Sequence, residues 1–263
     1  MTQTSSIGTF PFGQPVQEVV QTDRTQKRVF VLGVYASAVH AHWIREDGRT
    51  IVKALAVASE PYIFWRGEGV ESILHQISVP SEVGRLIPTS SQFTGPSGNA
   101  LDKLILEPLG LKREDSWLCD LVPHSCMNPG QHQAIEREYK PLMKDHKLPT
   151  PTVPPVPNKL IGETRRAAIV DEIREADSSI IILLGDKPIQ WFLKFYDDRW
   201  NKLADFDSYG KLYPTRIDGK EVKILPLAHP RQIDKLGKSS HIWYNRHKVW
   251  VEDYAPKLLA NID

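Results

Sequence analysis

The stretch SIIILLG, residues 179–185, is an unbroken run of apolar residues that ends at a glycine. A short apolar run rich in β-branched residues is typical of a strand that is buried on both faces of a parallel sheet. Four further segments predict strands, the last in spite of a proline, at 28–35, 52–59, 116–122 and 222–229. A sheet built around residues 179–185 is therefore the expected core.

Helical patterns lie between these strands, at 97–110, 163–177 and 187–203. Ser97 is the predicted N-cap of the first helix, and Pro108 and Gly110 are expected to end it. The turn sequence REDGRT, at 45–50, predicts that the first two strands form a hairpin. Strands that alternate with helices predict an α/β fold, a three-layer α/β/α sandwich with a central, mostly parallel sheet.

Composition narrows the class of protein. Of the 263 residues, 41% are hydrophobic, which is enough for a sizeable core. The formal net charge of +1 excludes a histone-like binder but is compatible with a local basic patch. Neither a secretory signal pattern nor an apolar run approaching the roughly 18 residues of a membrane span is visible. We therefore expect no membrane partner and a cytoplasmic location.

The N-terminal residues 1–27 are predicted to be an extension, and 28–263 a single domain. The proline-rich segment KLPTPTVPPVPNK, at 147–159, is expected to be extended. It is either a linker between domains or an excursion within one domain. The second interpretation is favoured because the same alternation of strands and helices continues after it.

In an open α/β sheet, ligands bind at the carboxyl ends of the strands. This rule selects the segments that follow four predicted strands, at 33–43, 60–65, 120–126 and from 229 onward. Each segment opens with polar or ionisable residues directly after apolar sequence. The residues 33–43 in particular carry Tyr, Ser, His and Trp side chains, so we expect a loop that forms one wall of a binding pocket.

Three blocks together resemble the uracil-DNA glycosylase superfamily, especially its family-four branch. They are LGVYASAVH at 32–40, FTGPSGNALDKLILEPLGLKREDSWLCDLVP at 93–123 and LAHPRQI at 227–233. Their order and spacing match, and the resemblance covers roughly residues 28–248. It implies a glycosylase-like α/β domain, DNA as the partner, extrusion of a base and a monomer.

The chain also departs from the family pattern. It has only two cysteines, too few for the family's four-cysteine iron-sulfur cluster, so we predict no cofactor. The acid or amide of the first motif is replaced by Val34 or Tyr35, and its proline by Ala36. The serine of the second motif is replaced by Arg231.

Cleavage of a bond between a base and its sugar builds positive charge on the sugar and negative charge on the base. The resemblance places His229 as the donor to the base, although a histidine here could instead cap the strand end. Glu60 is the predicted catalytic carboxylate, or else only a hinge residue before Pro61. Tyr35 is predicted to position water. His40 and His42 have no clear third partner for a metal ion, so no metal site is predicted.

Asp120 lies where the family has a base-reading asparagine. An ionised aspartate can only accept hydrogen bonds, so it faces O4 of uracil unfavourably but can accept from the N4 amino group of cytosine. We therefore expect a cytosine-type base, unless Asp120 faces away and caps a turn. Phe93 matches the base-stacking phenylalanine, or is an ordinary core residue. Gly33 opens the predicted pocket wall.

Contacts with DNA are expected at several polar or basic residues and one apolar residue. Ser37 and His40 are candidates for phosphate contact, as is the helix start at Ser97. After His229, a basic segment with an apolar tip is predicted to hold phosphates and wedge into the space of the extruded base. Its residues are Arg231, Lys235, Leu236 and Lys238, and the alternative is a solvated helix face.

These features predict a DNA glycosylase, with a cytosine or modified cytosine as its base. Such a base in bacteriophage DNA would give the protein an antiviral role. The alternatives are a uracil-DNA glycosylase, a non-catalytic DNA-binding module on the same fold, and a hydrolase of free nucleosides.

Overall fold

The computed structural model describes residues 7–234 and 240–259. Contacts between residues divide the chain into two compact units. The first unit comprises Met1–Val19, Tyr35–Pro96 and Pro123–Asn158, and the second comprises Val20–Val34, Ser97–Val122 and Lys159–Asp263. The single domain from residue 28 to 263 stays a prediction. The proline-rich segment lies at the end of the first unit.

The strands of the described residues form a short N-terminal pair, a five-stranded sheet and a three-stranded sheet. They are β1 Gly8–Thr9, β2 Pro15–Val16, β3 Val29–Tyr35, β4 Ala38–Ile44, β5 Thr50–Ser59, β6 Arg85–Pro88, β7 Ser116–Val122, β8 Ile180–Leu184, β9 Tyr213–Ile217 and β10 Lys220–Leu227. The predicted strand at 116–122 coincides with β7, and those at 28–35, 179–185 and 222–229 agree with β3, β8 and β10 to within two residues.

Helices of the described residues are mostly short. They are α1 Val70–His75, α2 Pro96–Leu101, α3 Pro129–Ala134, α4 Lys140–His146, α5 Glu163–Ala176, α6 Asp186–Trp191, α7 Pro230–Ile233, α8 Ser240–Asp253 and α9 Ala255–Leu258. Within the described part of the chain, no helix combines the length and apolar character that crossing a bilayer requires.

The second unit is built on a five-stranded sheet in the order β7-β3-β8-β10-β9. β8 pairs in parallel with β3 on one side and with β10 on the other, whereas β9 is antiparallel to β10. All five residues of β8 are buried, as expected for a strand with a neighbour on each side. The predicted α/β fold with a central, mostly parallel sheet is confirmed.

Helix α5 packs against β7 of this sheet. Its buried residues include Ile169, Ile173 and Ala176, which recur at the three- and four-residue spacing of one helix face. The helix ends at Asp177, which has a left-handed φ of 51°. The predicted helix at 163–177 is therefore confirmed almost to its ends.

The first unit contains a three-stranded antiparallel sheet in the order β5-β4-β6. The turn at residues 45–50 joins β4 to β5, so the predicted hairpin between the first two strands was wrong: β3 instead pairs with β8. The strand predicted at 52–59 is β5, which is not part of the parallel sheet. The rule about carboxyl ends of parallel strands therefore does not select residues 60–65.

The predicted loop at 33–43 was also wrong. β3 extends to Tyr35 and β4 begins at Ala38, so only Ala36 and Ser37 connect them. In β4, Val39, Ala41 and Trp43 are buried while the histidines between them are only partly buried. The residues that suggested a polar loop follow the two-residue alternation of a strand with one face on a core.

Two helix predictions need correction. Ser97 is not the N-cap of the first predicted helix, because α2 already begins at Pro96. A π-helical turn at Asp102–Leu106 and a 3-10 turn at Glu107–Leu109 follow α2, and Gly110 ends the helical segment as predicted. The helix predicted at 187–203 ends early, as α6 and a 3-10 turn at Leu193–Phe195. The side chain of Asp197 accepts hydrogen bonds from Arg199 and Thr215, which hold the following residues in a turn.

Candidate active site

The carboxyl ends of three parallel strands lie at one level in the second unit. Leu32 of β3 pairs with Leu183 of β8, and Leu184 pairs with Leu227 of β10. Continued by one or two residues, this register places Val34, Gly185 and Ala228 side by side. His229 follows Ala228 directly, so its side chain belongs to this edge of the sheet, where ligands bind in open α/β folds.

His229 is the N-cap of α7, and its ring has a defined tautomer. The backbone N–H of Arg231 donates to Nδ1 of His229 over 3.2 Å. Because a backbone N–H is always a donor, Nδ1 must be unprotonated, and the proton of the neutral ring lies on Nε2. Among the described residues, no acceptor for this Nε2–H is found. His229 therefore caps the backbone with Nδ1, as the predicted alternative has it, and the same ring can still donate a hydrogen bond from Nε2.

Burial and the neighbouring charge of Arg231 lower the pKa of His229 to about 4. The imidazole is thus neutral across the ordinary range of pH. The Arg231 side chain is exposed and forms no ion pair with the described residues. As far as the structure describes the chain, Arg231 therefore offers an unpaired cation beside a neutral donor.

Gly185 allows β8 to end beside His229. Its φ is +85°, and a Cβ atom at this position would lie 3.3 Å from Cβ of His229. Its N–H donates to the Leu227 carbonyl over 2.7 Å. A side chain here would both strain the backbone and press on the histidine, so the glycine that ends SIIILLG is needed for this geometry.

A buried chain of hydrogen bonds holds the backbone that precedes His229. The Ala228 N–H donates to the Tyr209 hydroxyl oxygen over 3.1 Å, and Tyr209 and Nδ1 of His247 are 2.6 Å apart. Nε2 of His247 lies 2.6 Å from the Leu104 carbonyl. The carbonyl can only accept, so Nε2 donates, Nδ1 accepts and the Tyr209 hydroxyl donates to it. Burial lowers the pKa of His247 to about 4, which keeps the ring neutral in this role.

We expect Tyr209→Phe to lower the free energy of unfolding by about 1–3 kcal/mol, because it leaves the Ala228 N–H and His247 Nδ1 buried without partners. Urea unfolding followed by circular dichroism measures the change. Tyr254→Phe is the control, since Tyr254 is 54% exposed and should unfold as the wild type does. Equal stability of the two variants would contradict the assigned chain of bonds.

Asp120 lies within β7, not at the start of a loop, and is only 4% exposed. Its carboxyl group accepts a hydrogen bond from the backbone N–H of Val34, the residue of β3 at the level described above. The side chain therefore points towards β3 and does not cap a turn at Pro123. Burial raises the pKa of Asp120 to about 7, against the opposing effects of Arg165 and the Val34 N–H.

Other predicted residues of the second unit have less telling positions. Gly33 is buried inside β3 and opens no loop. Ser97 is a partly buried residue within α2. The predicted residues Lys235, Leu236 and Lys238 lie outside the described residues.

The first unit contains the remaining predicted residues. Tyr35 ends β3, and His40 lies on β4. The Ser37 carbonyl accepts a hydrogen bond from the Ser125 hydroxyl. Glu60, directly after β5, is 7% exposed, so it is not the solvated hinge residue that was the alternative.

Phe93 is 39% exposed, which disfavours the alternative of a core residue. It lies in a turn closed by its N–H and the Ser90 carbonyl at 2.8 Å. A Cβ atom on Gly95, which has a φ of +63°, would lie 2.2 Å from the Arg66 carbonyl carbon. Gly95 therefore lets the Phe93 turn lie directly on the chain that follows Glu60.

Sequence reasoning missed Gly185, Tyr209 and His247. Gly185 had a visible signal, a glycine at the end of an apolar strand. Tyr209 and His247 had none, because 37 residues separate them in sequence and only the fold brings their polar atoms together.

The family model described as the uracil DNA glycosylase superfamily matches residues 80–245, more than half of the chain. The matched range includes β7 to β10 and the segment that begins at His229. The chain therefore belongs to the uracil-DNA glycosylase superfamily, and its fold is the glycosylase-like α/β arrangement that the sequence predicted. No curated protein matches the chain.

Membership of this superfamily supports a function of the DNA glycosylase type, with DNA as the molecule bound. It does not specify which base is removed. The arrangement of donors and acceptors at the edge of the sheet bears on that question.

Proposed function

We propose that the protein is a DNA glycosylase that extrudes a base from DNA and hydrolyses its N-glycosidic bond. The observation that carries this proposal is the state of His229, a neutral imidazole whose Nε2–H has no acceptor among residues 7–234 and 240–259. A base that leaves its sugar takes the electrons of the broken bond and gains negative charge. A fixed donor that meets this charge stabilises the transition state more than the ground state.

A neutral imidazole suits this step because its Nε2–H can donate a hydrogen bond to the departing base without a preceding proton transfer. The bond from the Arg231 N–H holds the ring in one tautomer, so the ring need not reorient during the reaction. The guanidinium of Arg231, which has no ion-pair partner in the described part of the chain, is proposed to contact a DNA phosphate, as is Ser97.

Asp120 is proposed to read the base. Among the described residues, the backbone N–H of Val34 is the hydrogen-bond donor found for the buried Asp120 carboxyl group, which therefore has capacity for further hydrogen bonds. A carboxylate accepts from the N4 amino group of cytosine and opposes O4 of uracil, which favours a cytosine-type base. A modified cytosine in bacteriophage DNA is the proposed target, because removal of ordinary cytosine would damage the cell's own genome, and the proposed role is antiviral defence.

The residue that stabilises the sugar cation stays a prediction. Glu60 remains the candidate carboxylate, supported by its burial, and Tyr35 the candidate for water positioning. Phe93, partly exposed on its turn, is proposed to stack on the extruded base.

The proposal is tested by incubating the protein with single- and double-stranded DNA that contains uracil, cytosine, or methylated, hydroxymethylated or glucosylated cytosine. Alkali cleavage detects abasic sites, and mass spectrometry identifies the released base. We expect release of a cytosine-type base. Release of uracil alone would contradict the assignment of Asp120, and binding of DNA without any release would favour a non-catalytic binding module.

A further inference from the structure

Strand β10 extends beyond the point where its neighbour β9 pairs with it, which is Ile224. Successive N–H groups of a strand point alternately to its two sides. The N–H of Lys223 donates towards β8, so the backbone of residues 224, 226 and 228 faces the side of β9. Pro226 has no N–H and loses no bond there. Ala228 is fully buried, and its N–H therefore needs an acceptor from outside the sheet.

Tyr209 provides this acceptor. Its hydroxyl oxygen accepts from the Ala228 N–H over 3.1 Å. On the other side of the same peptide group, the Leu227 carbonyl accepts from the Gly185 N–H over 2.7 Å. The peptide group between Leu227 and Ala228 is thus held from both sides. His229 follows it directly, so this peptide group fixes the direction in which the chain enters His229.

Helix α7 is too short to fix the direction of His229 by itself. It comprises only Pro230–Ile233, about one turn, and so short a helix has little stability of its own. The bond from the Arg231 N–H to Nδ1 fixes the imidazole ring relative to α7. The direction of the Nε2–H relative to the sheet therefore depends on the peptide group that Tyr209 holds.

His247 of α8 holds the Tyr209 hydroxyl in turn. Its Nδ1 accepts from this hydroxyl over 2.6 Å, and its Nε2 donates to the Leu104 carbonyl, also over 2.6 Å. In a regular α-helix the Leu104 carbonyl would accept from the N–H of residue 108, but Pro108 has none. Pro108 thus leaves an acceptor for His247. Both ring nitrogens have partners, which fixes the orientation of the histidine.

Two further residues of α8 contact the chain at Tyr209. The Tyr209 and Trp243 rings are 5.9 Å apart, and Nε1 of Trp250 donates to the Gly210 carbonyl over 2.9 Å. Gly210 has a φ of +67°, and a Cβ atom there would lie 2.2 Å from the Trp250 ring. Trp243, His247 and Trp250 recur at the four- and three-residue spacing of one helix face. α8 therefore fixes both the side chain of Tyr209 and the backbone beside it.

We propose, resting on the glycosylase function proposed above, that Tyr209 and His247 are positioning residues for base release, because they fix the direction in which His229 presents its Nε2–H to the departing base. In this scheme neither residue contacts the base, and both act through the Ala228 peptide. A donor lowers the barrier only when it is already in place, and a displacement of about 1 Å can cost about 10²-fold in rate. Tyr209 and His247 should therefore affect bond cleavage and not the affinity for DNA.

The first test is Tyr209→Phe, which removes the hydroxyl and keeps the ring. Single-turnover base release should slow about 10- to 100-fold, while the dissociation constant for DNA stays within about twofold of the wild type. Tyr139→Phe is the matched control, because the Tyr139 hydroxyl also accepts from a backbone N–H, of Phe12, and donates to a carbonyl, of Pro149. Its base release should be unchanged at a temperature at which circular dichroism shows both variants folded. Equal slowing in both variants, or none in Tyr209→Phe, would overturn the inference.

A double-mutant cycle separates positioning from a general structural effect. If Tyr209 acts through His229, Tyr209→Phe should slow release less than about twofold once His229→Ala is present. Losses that multiply instead would contradict the inference. The variants of His247 decide the question if Tyr209→Phe does not fold. His247→Asn keeps an acceptor for the Tyr209 hydroxyl and should release base faster than His247→Leu, and equal rates would refute the role of His247.

Hydrogen exchange tests the held peptide group without catalysis. NMR should show the Ala228 amide exchanging at least about tenfold faster in Tyr209→Phe than in the wild type, and at the wild-type rate in Tyr139→Phe. Equal protection of Ala228 in all three proteins overturns the inference. If Ala228 responds as expected but the wild type releases no base from any DNA, the proposed glycosylase function is refuted, and with it the role in base release, while the hold on the peptide before His229 stands.

Discussion

Replacement of His229 by alanine is expected to slow base release about 10²- to 10³-fold, the usual cost of removing one preorganised donor to a developing negative charge. DNA binding should change little, because the neutral imidazole interacts most strongly with the negative charge that develops on the base as the N-glycosidic bond breaks. Single-turnover assays measure the rate, and fluorescence anisotropy measures binding.

His75→Ala is the control for this experiment. His75 is an exposed residue of α1 whose ring contacts only its own helix, and its loss should leave base release unchanged. An equal loss of binding and of rate in His229→Ala would assign the residue to DNA binding alone. The wild-type rate should also show no titration of this histidine near pH 6.5, because its pKa is lowered to about 4.

Replacement of Asp120 by asparagine is expected to shift the preference from a cytosine-type base to uracil. The amide permanently offers the donor that O4 of uracil requires. One mismatched hydrogen-bonding group at a buried reading edge costs about 1–3 kcal/mol, so the ratio of the two rates should change about 5- to 150-fold. Competition between two labelled oligonucleotides measures this ratio.

Asp198→Asn makes the same chemical change at an exposed residue and should leave the ratio as in the wild type. An unchanged ratio in Asp120→Asn would remove this residue from base recognition and leave His229 as the main support for the proposed function.

The predictions from sequence succeeded where local pattern and burial agree. The predicted bounds of β7, Ser116 and Val122, are those of the structure. β8 was predicted from an unbroken apolar run, which is typical of a strand buried on both faces of a sheet. The same reasoning failed at residues 33–43, because clustered polar and aromatic side chains suggested a loop while the alternation of buried and partly buried residues belonged to β4.

The selection of the segment 60–65 illustrates a second reason for failure. The segment follows a strand that was correctly predicted, but β5 belongs to the antiparallel sheet of the first unit. Strand pairing depends on contacts distant in sequence, so a strand's own residues do not reveal its sheet.

The sequence by itself determined the order of strands and helices, the family, and the presence of a histidine and an aspartate directly after or within apolar strands. Only the tertiary structure decided the tautomer of His229, through the Arg231 N–H, and the burial that raises the pKa of Asp120. The physical reason is that apolar periodicity depends only on residues close together in the sequence. The protonation state of a buried ionisable group depends instead on solvent exclusion and on charges that folding brings from distant parts of the chain.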